Sequence, residues 1–243
     1  MTDLLTLAIE AHGGLERWNK VAAVQVSFAH SGRLLEIKGY PGHRFTTLTI
    51  DARQQRTEIV GMDATDDRWI YTPQRVWIER PDGKVLEERE NPRASFIGHE
   101  RTTPWDRLHL TFFMGYAHWS YTAVPYLFTQ PRFSHRELEP HVENGETWRV
   151  LEVEYPDHIE AHCKTQKFYF DPDGMLKRND YSVDLTTGHA AHYSFDPQRI
   201  DGLVLPMLRR VVRRTDGTSH VNAPTTFLLD YSRASVRNID ASS

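Results

Sequence analysis

Apolar and polar residues alternate along most of the chain, in runs too short for helices. Val24, Val26 and Phe28 alternate with Gln25 and Ser27, and Phe45, Leu48 and Ile50 form a second extended run. Short apolar segments around Ile59, at Arg68-Trp-Ile-Tyr and at Val76-Trp-Ile-Glu follow, before Pro81-Asp-Gly-Lys turns the chain into Val85-Leu86. A period of two puts alternate side chains on opposite faces of a strand, and Pro-Asp-Gly is turn chemistry. The pattern resumes in the second half: Leu151, Val153 and Tyr155 share one face, and Asp171-Pro-Asp-Gly, Thr187-Gly188 and Asp201-Gly202 mark turns between further strands. About a dozen strands joined by short connections predict an antiparallel meander rather than βαβ units. The expected fold is mainly β, a strongly curved antiparallel sheet or half-barrel.

Two stretches break the alternation. Leu4, Leu5, Ala8 and Ala11 recur at helical spacing, with Thr2 or Asp3 as the cap and His12-Gly13-Gly14 as the stop; Leu15 to Lys20 adds a turn carrying Trp18. The longer interruption is Thr103-Pro-Trp-Asp-Arg-Leu-His-Leu-Thr-Phe-Phe-Met-Gly-Tyr-Ala-His-Trp. Thr103 is the expected N-cap, with Pro104 in the first helical position and Asp106 reaching back to free amides. Trp105, His109, Phe112 and Tyr116 would then follow one stripe, and Leu110, Phe113 and Met114 another. A helix without a polar face has to be buried, and the concave side of the sheet is the expected place. The chain therefore divides into a helical hook over 1–20, strands over 24–90, a buried helical segment over 103–128 and strands over 132–233, all within a single domain 1–243.

Composition narrows the partners. With 29 Lys+Arg against 33 Asp+Glu the net charge is -4, so no basic excess supports nucleic-acid binding. One cysteine, Cys163, excludes an intramolecular disulfide and a Cys-rich metal site. No run approaches the ~20 apolar residues that span a bilayer, and Met1–Leu7 lacks the basic and apolar regions of a leader, so a cytoplasmic location is expected. Oligomeric state leaves no mark in the pattern. No G-x-S-x-G, P-loop, dinucleotide fingerprint or kinase signature occurs.

Several groups are candidates for chemistry or binding. Asp106 and His109, three apart on a helix, could form an acid–base pair; the competing structural role is a cap and a satisfied core histidine. Tyr116, His118, Trp119 and Tyr121, with Trp105 and Phe112, could line an apolar pocket or simply fill the core. In the late strands Arg178 and Asp180 share a face, His192 lies one strand on, and Arg209 and Arg213 point opposite to Arg210 and Arg214. One arginine pair must face inward. It would need a carboxylate, for which Asp180 and Asp184 are candidates, and such a charged floor could hold an anionic head group. His158 and His162 lie four apart without the H-E-x-x-H arrangement, and His189 and His192 fall on opposite faces of a strand, so no metal ligand set and no cofactor are expected. Cys163 reads as a buried inert thiol rather than a nucleophile.

Phe168-Tyr-Phe-Asp-Pro-Asp-Gly-Met-Leu-Lys-Arg-Asn-Asp-Tyr, the later Asp201-Gly-Leu-Val-Leu-Pro and the Ala11-His-Gly-Gly-Leu helix stop resemble segments of the LolA/LppX-like half-barrel carriers. That resemblance spans most of the chain. It implies an N-terminal helix, helices lodged in a concave sheet, and a hydrophobic cavity that carries an acyl chain, lipid or lipoprotein. The Thr103–Trp119 segment has no counterpart to match, so no binding residue is carried over. The resulting expectation is a binding protein for a hydrophobic or amphipathic small molecule such as a fatty acid, lipid or isoprenoid. An enzyme using Asp106 and His109 on such a ligand, and a scaffold with no ligand, are the alternatives.

Overall fold

The computed structural model describes residues 3–214 and 222–239. In chain order the elements are α1 (Leu4–Ala11), α2 (Leu15–Asn19), β1 (Val21–Ser31), α3 (Arg33–Ile37), β2 (Arg44–Asp51), β3 (Thr57–Val60), β4 (Arg68–Tyr71), β5 (Arg75–Glu79) and β6 (Val85–Glu90). A 3-10 turn (Pro92–Phe96), α4 (Arg107–Ala123) and a second 3-10 turn (Tyr126–Thr129) follow. The chain then runs through β7 (Ser134–Glu143), β8 (Glu146–Glu154), β9 (Thr165–Phe170), β10 (Leu176–Val183), β11 (Gly188–Ile200), β12 (Leu203–Arg213) and β13 (Thr225–Asn238).

Among the described residues, all 13 strands join one antiparallel sheet in the order β6-β5-β4-β3-β2-β1-β13-β12-β11-β10-β9-β8-β7. The last strand closes against the first, so β1 and β13 form the seam between the two halves. The result is the half-barrel expected from the alternation, with the N-terminal helix α1 and the central helix α4 added to it. Bulges where β1 meets β13, β12 meets β13 and β9 meets β10 bend the strands and help curve the sheet. Its open edges are guarded. Edge strand β6 is the acidic Val-Leu-Glu-Glu-Arg-Glu, and edge strand β7 carries Pro140 and is mostly exposed. At the β11–β12 hairpin, Asp201 (φ 48°) and Gly202 (φ 89°) both take left-handed backbone, as a two-residue hairpin turn requires.

Asp3 caps α1 by accepting from the Thr6 amide at 3.0 Å; Thr2 lies outside the described residues. The start of α4 corrects the sequence reading. The N-cap is Asp106, not Thr103, and Trp105 precedes the helix. The reason is tertiary. The Trp105 amide donates to the Lys38 carbonyl at 3.1 Å, and the Lys38 ammonium takes the Thr103 and Glu100 carbonyls at 3.0 and 3.2 Å. These groups are spent on fastening the loop behind α3, so they cannot begin a helix. Trp105 accordingly leaves the expected stripe and packs edge-on to Phe96 with the Lys38 ammonium over its ring.

From Leu108 to Ala123 every residue of α4 is buried. The helix lies closest to β2, β3, β4, β5 and the Pro92–Phe96 turn, that is, against the first half of the sheet. Phe112 meets Tyr71 edge-on, Trp119 donates to the Asp51 carbonyl at 3.0 Å, and Thr57 donates to the Gly115 carbonyl at 3.1 Å. The approach is close because residue 115 has no side chain: a Cβ there would stand 2.2 Å from Tyr71 Cβ. Drawing α4 onto the first half leaves space between it and the second.

Candidate functional site

Phe113, Tyr116, Ser120 and Tyr121 lie beside the Phe112–Gly115 face of α4 that meets Tyr71, and they reach toward β10–β13. The β8–β9 connection brings His162 to meet them. It is anchored where Gln55 exchanges two 2.9 Å bonds with the Glu160 backbone, and by the Arg93–Glu160 ion pair. The His162 ring lies between two tyrosines, with Nδ1 at 2.9 Å from the Tyr116 hydroxyl and Nε2 at 2.9 Å from the Tyr121 hydroxyl. It stacks on Tyr181 of β10 at 4.1 Å, with the planes 4° apart, and the Tyr121 and Tyr181 hydroxyls meet at 3.2 Å. A neutral imidazole has one donor and one acceptor nitrogen, so one tyrosine donates to the ring and the other accepts from it.

Two chambers flank this cluster. The larger has a volume of about 290 Å³. Its apolar wall is Phe113 and Tyr121 of α4 with Tyr181, Ala190, Val211 and Phe227 of the sheet. Its rim is polar and cationic, with Arg101, His189, Arg213 and Arg214 and no Asp or Glu among the described residues that line it. The smaller chamber lies on the other side of Tyr121 and His162, both of which line it too, and at about 10 Å³ it has room for about one water. Arg209, His192, Ser120 and Ser194 surround it. His192 meets the Tyr121 ring edge-on at 4.4 Å.

Burial keeps this interior uncharged apart from Arg209. His162 and His118 are pushed down to about 3 and His30 to about 4, in each case chiefly because an imidazolium would lose its hydration. His192 is pushed well below the ordinary histidine range by the same burial, aided by the Arg209 charge. These histidines bind protons in the unfolded chain below about pH 6.5 but not in the fold, so stability is fully present above that pH and is lost as pH falls toward about 4 and 3. The expected result is a urea midpoint that is flat above about pH 7 and declines below 6.5. In NMR spectra the four buried imidazoles should show no titration down to about pH 5, the limit below which His30 begins to charge. A resonance of His118 or His162 that titrates near 6.5 would contradict this.

The structure sorts the sequence candidates into three groups. Tyr116, Tyr121, His118 and His192 stand together between α4 and the second half of the sheet, where His118 donates from Nδ1 to the Met114 carbonyl at 2.8 Å and stacks on Phe28. Trp105, Phe112 and Trp119 instead fill the contact with the first half and line neither chamber. Arg178 and Asp180 lie on the opposite face of the sheet. That overturns the charged floor: Asp180 pairs with Arg178 and Arg214 there, while the inward arginine, Arg209, has no carboxylate among the described residues.

Asp106 and His109 form a capping box. The His109 amide donates to Asp106 Oδ1 at 2.8 Å, His109 Nδ1 accepts from the Asp106 amide at 3.3 Å, and Arg89 holds the Asp106 carboxylate with two further bonds. Neither residue lines a chamber. The Cys163 thiol is pushed up by burial and donates to the Thr165 carbonyl at 3.1 Å, which suits an inert core group. The residues that sequence reasoning left out of the site are His162, Tyr181 and Arg209. Arg209 had a signal, as one of two alternating arginine pairs of which one had to face inward, whereas His162 stood out only for its spacing from His158.

No protein-family model matches the sequence, and neither does any curated protein. Solved structures do. The chain is similar to a DUF1329 family protein from Desulfovibrio piger, at 12% identity and a TM-score of 0.56 over 99% of this chain and 96% of that one. It is also similar to a LolA superfamily protein from Nitrosomonas europaea, at 11% identity and a TM-score of 0.53 over 97% and 93% of the two chains. The half-barrel with a helix lodged against its sheet is a LolA-like fold.

Proposed function

We propose that this protein binds a hydrophobic or amphipathic small molecule, such as an acyl chain or an isoprenoid, in the chamber between α4 and strands β10–β13. The observation that carries the reading is the chamber of about 290 Å³ with an apolar aromatic wall and a polar rim. Its volume is at the lower edge of small-molecule pockets, and a wall of rings with a few polar groups at one end is how such pockets combine affinity with orientation. The resemblance to half-barrel carriers supports the same reading.

Decanol is a suitable probe because it has a chain and no charge. Calorimetric titration should show it binding to the wild type. Val183 stands half-buried in the chamber wall, so Val183→Trp should fill the space and weaken binding at least tenfold, about 1.4 kcal/mol. Equal affinity of the two proteins, or a wild type that does not bind decanol, would remove the chamber as the site.

A further inference from the structure

The fold buries two arginines deeply and treats them differently. Arg178, 2% exposed, makes a two-pronged contact with Asp180 at 2.6 and 2.8 Å and a third bond to Glu143 at 2.7 Å. Arg209, 3% exposed, donates from Nη2 to the Tyr121 carbonyl at 3.1 Å. Its guanidinium lies over the rings of Tyr121 and Tyr231, at 5.3 and 5.9 Å. Its Nε has no hydrogen-bond partner, and no carboxylate pairs with it among the described residues. Ring faces offset part of the cost of drying a cation, but a buried guanidinium with five donors is fully compensated only by an opposite charge and acceptors.

The surroundings supply no opposite charge. No Asp or Glu lines either chamber among the described residues, although the chain has more acids than bases. Next to Arg209 in the smaller chamber stand Ser120 and His192, whose buried Oγ and Nε2 have no hydrogen-bond partner among the described residues. The histidines around it cannot supply the missing charge, and none is protonated near neutral pH. Arg209 thus presents a buried positive charge to a space of about one oxygen atom, beside an apolar chamber long enough for a chain.

On the reading of the larger chamber as a ligand site, we propose that the ligand is an amphipathic carboxylic acid bound head-inward. One carboxylate oxygen sits in the small chamber on the Arg209 guanidinium, Ser120 and His192 complete its hydrogen bonds, and the chain lies along Phe113, Val211 and Phe227. Tyr121 and His162, common to both chambers and hydrogen-bonded to each other at 2.9 Å, are the side chains that part to admit the head. Carboxylate on guanidinium is a charge-assisted pairing strengthened by the dry surroundings.

The test compares decanoate with decanol, of equal chain length, by calorimetric titration at pH 7. Wild-type protein is expected to bind decanoate at least tenfold more tightly, and Arg209→Met to bind the two within about threefold of each other. Equal affinities in the wild type would overturn the proposal, leaving Arg209 to a buried water while the chamber reading survives. If neither compound binds, the chamber reading itself fails. Arg213, exposed at the rim and unpaired among the described residues, provides the competing seat. Loss of the preference in Arg213→Gln would place the head at the rim and overturn the inward orientation, whether or not Arg209→Met folds. A carboxyl-labelled decanoate supplies a readout on the wild type alone: bound on Arg209, its carbon resonance should titrate at lower pH than in free decanoate, and an upward displacement would count against the pairing.

Discussion

Gly115→Ala is expected to destabilise the fold by about 3 kcal/mol, the upper part of the range for forcing atoms into a packed interior. For a chain of 243 residues that is a fall in Tm of about 6–12 °C. Alanine is ordinarily the better helix former, by about 1 kcal/mol, so propensity alone predicts the opposite sign. The contact decides. The added Cβ would stand 2.2 and 2.3 Å from Tyr71 Cβ and Cγ, atoms next to the backbone of β4 that cannot swing aside. The helix would have to lift off the first half of the sheet, losing the Thr57–Gly115 and Trp119–Asp51 hydrogen bonds as it moved. Thermal denaturation of Gly115→Ala, Tyr71→Ala and the double variant checks this: the second substitution should cost less in the presence of the first. Unchanged stability of Gly115→Ala would mean that α4 is not held this closely.

Arg178→Met should have an effect at least as large, about 3–5 kcal/mol, because it leaves buried carboxylates without their cation. Arg178 links Asp180 to Glu143 through a guanidinium lodged between the rings of Tyr169 and Tyr193. Arg214 and the Tyr169 hydroxyl remain on Asp180 after the substitution, at 2.7 and 2.9 Å, whereas among the described residues Glu143 keeps the Tyr193 hydroxyl and a long contact from His141. Adding Glu143→Gln to Arg178→Met should therefore recover part of the loss. The network is on the face away from α4, so decanol affinity of the folded variant should stay within about threefold of wild type. Urea denaturation and calorimetry separate the two expectations. A variant that keeps its stability but loses the ligand would put Arg178 back among the binding residues.

That outcome bears on what strand periodicity can and cannot say. Alternation correctly separated Arg209 from Arg210, and Arg178 and Asp180 from Tyr181, as residues on opposite faces. It could not tell which face was inner, because both are covered. Behind the main core, Trp148, Val150, Tyr169, Ala191, Tyr193 and Val212 make a second apolar cluster around the Arg178 network. With apolar residues on each side, the usual inference from apolar to inward has nothing to discriminate. The helix shows a different limit. Its burial was legible from the absence of a polar face, whereas its first residue depended on Lys38, more than 60 positions away in sequence, claiming the loop carbonyls that a Thr103 cap would have left to the helix.

The sequence by itself determined the antiparallel meander, the N-terminal helical hook, the turns at Asp171–Gly174 and Asp201–Gly202 and the buried aromatic helix, because each follows from contacts or backbone preferences within a few residues. The tertiary structure alone decided where the space lies. Gly115 draws α4 onto β3 and β4, the unpatterned β8–β9 connection carries His162 across to Tyr116 and Tyr121, and the seam of β1 with β13 sets which face of β12 encloses Arg209. A cavity is what packing leaves unfilled between elements distant in the chain, and a local pattern of residues has no period that encodes it.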